Sequence, residues 1–179
     1  MKIHNTEIEV VHDSMMHQRV DAVVNAANPN LSDGGGITGK IFSKAGPGLP
    51  AEIKQKYPKG TPTGTAVITG GHGLSQPHII HTPGPMWHGG RSGEEKELAS
   101  SYHSCLEVAD ANGLKSIAFC SISTGIYGFP LGKAAPIAFA TVRAYLDAHP
   151  ETTVERIVFA MYAQDEYDAF SKAYAEAAV

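Results

Sequence analysis

The chain predicts an α/β fold, a three-layer α/β/α sandwich around a mixed, largely parallel six-stranded sheet. Three observations carry that prediction. Short apolar runs alternate with segments whose apolar residues recur at helical spacing. The run Ser116-Ile117-Ala118-Phe119-Cys120 is apolar at almost every position, as in a strand covered on both faces. No linker, repeat or low-complexity tract interrupts the alternation, so residues 1–179 read as a single domain.

Each element has its own grounds. Ile3 to Val11 alternates apolar with polar residues and reads as the first strand, and Asp21 to Asn25 as the second. Gly64 to Thr69 and His78 to Thr82 follow, and Lys115 to Ser121 and Val154 to Met161 complete the six. Ile37 and Ile41 lie one turn apart and open a helix just after a run of glycines. Leu98, Tyr102, Cys105, Leu106 and Ala109 keep helical spacing up to Gly113, a residue suited to the left-handed position that ends a helix. Ile137, Ala138, Thr141, Val142, Tyr145 and Leu146 do the same before Pro150, as do Tyr167, Phe170 and Tyr174. The Gly/Pro-rich stretch from Thr82 to Gly93 reads as a functional loop rather than a domain boundary.

Composition excludes several functions. Hydrophobic residues make up 42% of the 179, enough for an ordinary core. A net charge of −4 without a basic run argues against a nucleic-acid duplex as partner. The N-terminus enters strand-like sequence without a signal-peptide stretch, and no run is long enough to span a bilayer. A cytoplasmic protein without membrane contact is expected, with Cys105 and Cys120 as packed free thiols. Among nine histidines, His78 and His81 stand three apart on a strand and point to opposite faces, so they cannot share an ion. No metal and no cofactor is expected.

Parallel sheets bind ligands beyond the carboxyl ends of their strands, which directs attention to the loops after Asn25, Thr82, Ser121 and Met161. The first carries Gly34-Gly35-Gly36-Ile37-Thr38-Gly39, where main-chain N–H groups and a helix N-terminus can approach an anion. It fits the dinucleotide pattern G-x-G-x-x-G, but eight residues separate it from Asn25, and the next strand closes on Gly70-Gly71-His72 without an acidic residue. The P-loop pattern nearly fits too, with Lys40 in place, but Ile41 lacks the hydroxyl that would hold Mg²⁺. The loop Ser121 to Pro130, with two glycines among small hydroxyl residues, suits a second main-chain cradle; a plain strand-to-helix connection is the alternative. Two cradles at one sheet edge suggest a diphosphate.

Together, Val23-Val24-Asn25-Ala26-Ala27-Asn28, the glycine run, His81-Thr82-Pro83-Gly84-Pro85 and Ser123-Thr124-Gly125-Ile126-Tyr127-Gly128 resemble the macrodomain family of ADP-ribose-binding modules over nearly the whole chain. The resemblance implies that Asp13 accepts a hydrogen bond from the adenine amino group and that Asn28 holds the distal ribose. It implies that Gly35, Gly36 and Ile37 on one side, and Ser123, Thr124, Gly125, Ile126 and Tyr127 on the other, donate main-chain bonds to the diphosphate. Tyr127 would lie near the distal ribose, and Tyr162 would stack on adenine. A helix cap is the alternative for Asp13, and a core or surface ring for Tyr162.

The chain departs from the bacterial hydrolytic macrodomains where they have Val-Asp-Gly-Ala, with that Asp assigned to activating water. Here the stretch is Ile37-Thr38-Gly39-Lys40, and threonine orients water without serving as a base near neutral pH. Asp33 is the nearest spare carboxylate. The resemblance therefore implies hydrolysis of ADP-ribose from protein side chains, or deacetylation of O-acetyl-ADP-ribose, with Asn28, Thr38 and the ligand's diphosphate placing water. The alternative is a non-catalytic reader of ADP-ribose or ADP-ribosylated protein.

Overall fold

The computed structural model describes residues 1–178. Its strands are β1 (Lys2–Ile3), β2 (Thr6–Val11), β3 (Ala22–Ala27), β4 (Val67–Gly70), β5 (His78–Pro83), β6 (Ser116–Phe119) and β7 (Arg156–Ala160). They form one mixed sheet in the order β1-β2-β7-β6-β3-β5-β4. The five inner strands are parallel, and β1 and β4 close the edges antiparallel.

The sheet has seven strands where six were expected. The expected first strand is a hairpin: the chain turns at His4, whose φ is 53°, and Ile3 pairs with Thr6. Polar turn residues look like the solvent face of a continuous strand, so alternation alone does not reveal the turn.

Helices α1 (Gly36–Ala45), α2 (Gly48–Lys56), α3 (Glu94–Ala111), α4 (Leu131–Ala148) and α5 (Gln164–Ala177) cover the sheet, with a single 3-10 turn at Met15–His17. The short helix α2 was not foreseen, because only Leu49 and Ile53 on it are buried. Gly113 takes the expected left-handed conformation just past α3. Along each inner strand the side chains alternate between two cores. Val24, Ile80, Ile117, Phe119, Ile157 and Phe159 face α3, α4 and α5. Val23, Ile79, Ala118, Val158 and Ala160 face α1, α2 and the 3-10 turn. Bulky rings thus fill one layer, while the smaller Ala118, Val158 and Ala160 contribute to the other.

The loop from Thr82 to Gly93 is built by its last neighbour. The Glu94 carboxylate accepts from the main-chain N–H groups of His88, Gly90 and Ser92 at 2.9, 2.8 and 2.6 Å. Trp87 N–H in turn donates to the Tyr127 carbonyl at 2.8 Å, so this loop props the one that follows β6.

Candidate functional site

Because the five inner strands run in parallel, their carboxyl ends open on one edge, and a cleft of about 450 Å3 lies there. It runs from the end of β2 and β7, past β6, to the end of β3 and the start of α1. Ser14, Met15, Ala160, Tyr162 and Glu166 line one end, and Asn28, Gly34 to Thr38 and Tyr127 line the other.

The glycine run forms one wall. Gly35 precedes α1 and Gly36 opens it with φ 59°, a conformation that favours glycine. The N–H groups of a helix's first turn have no partner within the helix, and here that turn lines the cleft. Close packing fixes the run from behind: a Cβ on Gly39 would stand 2.5 Å from the Gly34 carbonyl oxygen. The opposite wall is Ser123, Gly125, Ile126 and Tyr127. Ile126 is 92% exposed and reaches across the cleft, where a Cβ on Gly35 would come within 4.0 Å of its Cδ1. Ser123 has φ 68°, and its buried hydroxyl has no hydrogen-bond partner among the described residues.

At the α1 end the polar side chains are tied down. Asn28 Nδ2 donates to the Ser32 carbonyl at 2.9 Å, while Asn28 Oδ1 accepts from Ser32 N–H at 3.2 Å and from its hydroxyl at 3.1 Å. Thr38 is buried, and its hydroxyl proton is shared between Asn25 Oδ1 and the Ala26 carbonyl, both at 3.0 Å. Asn25 Nδ2 donates to His81 Nδ1 at 3.2 Å, and His81 Nε2 meets the Thr69 hydroxyl at 2.9 Å. Since the Asn25 oxygen takes the Thr38 proton, its nitrogen must donate. His81 is thereby held as the neutral tautomer protonated at Nε2. Burial lowers the His81 pKa to about 4, so the ring stays uncharged at neutral pH. Thr38 has only oxygen lone pairs left for the cleft, and it acts there as an acceptor.

Several expected residues sit elsewhere. Asp33 accepts from Gly34 N–H at 2.7 Å and lines a separate groove with Phe42, Pro47 and Tyr57. Thr124 is absent from the lining, its hydroxyl paired with that of Ser121 at 2.5 Å. Asp13 is exposed beside the lining residue Ser14; the His17 ring and the Ser14 N–H hold its carboxyl below the usual range. Ser14, not Asp13, caps the 3-10 turn by accepting from Met16 N–H at 3.1 Å.

Several lining residues were not foreseen as site residues, Lys40, Glu166 and Cys120 among them. Glu166 in α5 is the one carboxylate among the described residues that line the cleft. Burial raises its pKa, and its Oε1 accepts from Ala163 N–H at 3.1 Å. An acidic residue three positions into the helix after the last strand was the available signal, and it reads equally well as helix capping. Cys120 lies just past β6 rather than within a strand, and its thiol donates to the Val24 carbonyl at 3.5 Å. Burial pushes that thiol up to about 12, which removes it as a nucleophile. Among the described residues no group of three His, Cys, Asp or Glu side chains could hold a metal ion, and no helix is long and apolar enough to cross a membrane.

A largely parallel sheet with a ligand-sized cleft between two glycine loops at its carboxyl edge is the architecture of a macrodomain, and residues 24–138 match the Macro domain family model. The chain belongs to that family. It is 42% identical over 163 residues to the O-acetyl-ADP-ribose deacetylase of Cronobacter sakazakii, covering 89% of each chain. It superposes with a TM-score of 0.90 on the Oceanobacillus iheyensis macrodomain with ADP, at 33% identity, covering 98% of this chain and 94% of that one. The Trypanosoma brucei macrodomain in complex with ADP-ribose is 35% identical, with a TM-score of 0.86 over 93% of this chain and 68% of that one.

Proposed function

We propose that this protein binds ADP-ribose in the cleft and hydrolyses it from modified protein side chains, or removes the acetyl group of O-acetyl-ADP-ribose. The observation that carries this reading is the meeting of two main-chain walls, the α1 turn at Gly35 to Ile37 and the loop Ser123 to Tyr127, across one cleft. Their N–H groups suit a diphosphate. Tyr162 offers a ring for adenine at one end, and Asn28 a hydrogen-bonding amide for the distal ribose at the other. Water would be placed by Asn28, by the Thr38 oxygen as acceptor and by the ligand's own phosphate oxygens, with no protein carboxylate as base.

A second reading, a non-catalytic reader of ADP-ribosylated protein, is favoured by one observation. The α1 end of the cleft has no acidic side chain, since Asp33 faces another groove. Two measurements decide. Calorimetric titration with ADP-ribose and AMP tests binding; equal affinity for the two overturns both readings. Release of ADP-ribose from protein modified on acidic residues then separates them, turnover supporting the hydrolase and tight binding without turnover the reader.

A further inference from the structure

Lys40 is the only Lys or Arg among the described residues that line the cleft, and no part of the proposed chemistry uses it. It sits on α1, one turn past Gly36, and its ammonium stands 4.3 Å from the centroid of the Tyr162 ring. Tyr162 is 68% exposed, and the Lys40–Tyr162 contact bridges the mouth of the cleft from α1 to the loop after β7. A base stacked on Tyr162 would place its own ring centroid roughly 4.5–7 Å away. That is the space the ammonium fills, so Lys40 and a purine cannot share this face of the ring in this arrangement.

We propose that Lys40 is a displaceable cation which guards the Tyr162 ring and, when a purine takes its place, turns to the ligand's diphosphate. This rests on the reading that the cleft takes ADP-ribose, and it adds a selection rule: base and diphosphate together are favoured over the base alone. The geometry supplies the direction of the swing. A helical side chain leans toward the N-terminus of its helix, which for Lys40 is the turn at Gly35 to Ile37 where the main-chain donors converge. The charge supplies the motive. A diphosphate meets main-chain dipoles on both walls but only one full positive charge, and a charge-assisted bond to phosphate outweighs an exposed cation–π contact. A nucleoside displaces the ammonium and offers nothing in return.

The test is a titration of adenosine, ADP and ADP-ribose into the wild type, Lys40→Ala and Lys40→Met, the last keeping an apolar stem without the charge. The expected effects have opposite signs. Lys40→Ala binds adenosine roughly two- to fivefold more tightly, as loss of an exposed cation–π contact predicts. Both variants bind ADP and ADP-ribose about tenfold or more weakly, and that loss shrinks as salt is raised. Because Lys40 is exposed, circular dichroism and melting temperature should be unchanged. Weakening of adenosine and ADP-ribose by the same factor would make Lys40 a simple lid on the base, and no change in either would make it a solvated surface lysine; both overturn the proposal. Failure of the wild type to bind ADP-ribose at all overturns the functional reading itself, a result distinct from either.

Discussion

At the α1 end of the cleft Asn28 and Thr38 spend their hydrogen bonds inside the protein, whereas at the β2–β7 end Tyr162, Lys40 and Asp13 stand in solvent, with only Glu166 partly sheltered. The difference is one of preorganisation. Groups that place a reacting atom gain from being fixed before the ligand arrives, because no reorganisation is then needed during the reaction. Groups that grip a base can remain exposed and reorder, since stacking tolerates small displacements. On the proposed function the glycine walls between the two ends serve both, and damage there should be felt most.

Gly125→Glu is therefore expected to have the largest effect. Nothing lies within 4 Å of a Cβ built at Gly125, and its φ is not in the left-handed region, so the side chain enters the cleft without disturbing the fold. A carboxylate would then face the place proposed for the diphosphate. Titration should find no ADP-ribose binding, with an unaltered circular dichroism spectrum. Retained binding would show that the ligand does not pass between the two walls.

Next in size is Thr38→Asp. A carboxylate at this position meets two acceptors, Asn25 Oδ1 and the Ala26 carbonyl, which now receive the Thr38 proton. It is accommodated if the Asn25 amide turns over and offers its nitrogen. The Asn25 oxygen would then face His81, whose proton must move from Nε2 to Nδ1, with the Thr69 hydroxyl donating to the freed nitrogen. We expect turnover to rise by roughly 10²–10⁴-fold, the usual contribution of a well-placed general base, with a lower melting temperature. Nitrogen NMR should record the change of His81 tautomer. An unchanged rate together with an unchanged tautomer would mean that the α1 end is not the reacting end. Asn28→Ala should remove most of the wild-type rate while leaving the tautomer alone.

His81 also gives the rigid end a signature in stability. Its folded pKa, lowered by burial to about 4, lies below the ordinary 6.5, so the unfolded chain binds the extra proton first as pH falls. Stability should be constant with respect to this group above about pH 6.5 and decline between 6.5 and 4, by about 3 kcal/mol in all. Glu52 acts in a different window. Burial would raise its pKa, but Lys56, the Gly70 N–H and His72 overcome this and hold it at about 2, so its contribution is lost only as pH falls from about 4.5 toward 2. Urea titrations of wild type and His81→Gln across pH 4–7 check this, since the variant should lack the upper window. An equal slope in both proteins would mean that the buried chain does not hold His81 neutral.

Much of this contrast was legible before the fold was known, for reasons that differ by residue. The parallel sheet and the glycine wall rest on local sequence, because strand burial and left-handed turns leave a mark in residue type. The Thr38–Asn25–His81–Thr69 chain does not. Its members lie on α1, β3, β5 and β4, and only the pairing of Asn25 with His81 across neighbouring strands brings them together. Asp33 and Glu166 exchanged importance for the same reason. Sequence places Asp33 beside the glycines, but its side chain turns to the groove under α2, while α5 carries Glu166 back over the end of β7. Lys40 was visible only as a near-match to a phosphate-loop pattern whose remaining parts are missing.

The smallest expected effect belongs to the exposed end. Asp13 accepts from Ser14 N–H at 2.6 Å and meets the His17 ring at 2.8 Å, both through Oδ1, which leaves Oδ2 for the amino group of a base stacked on Tyr162. Because the carboxylate is in solvent, that bond competes with water and is screened by salt. Asp13→Ala should weaken ADP-ribose by roughly fivefold, which is less than a sheltered hydrogen bond to a charged group contributes because water competes for this one. The hypoxanthine analogue of ADP-ribose supplies the control, since it presents a carbonyl oxygen where adenine has the amino group. Wild type should prefer the adenine ligand, and Asp13→Ala should bind the two alike. If the preference survives in the variant, Glu166 or the main chain at Ser14 reads the base instead. Should affinity hold while the melting temperature falls, Asp13 only braces the turn at Ser14, and the exposed end selects its ligand by stacking and by the charge of Lys40 alone.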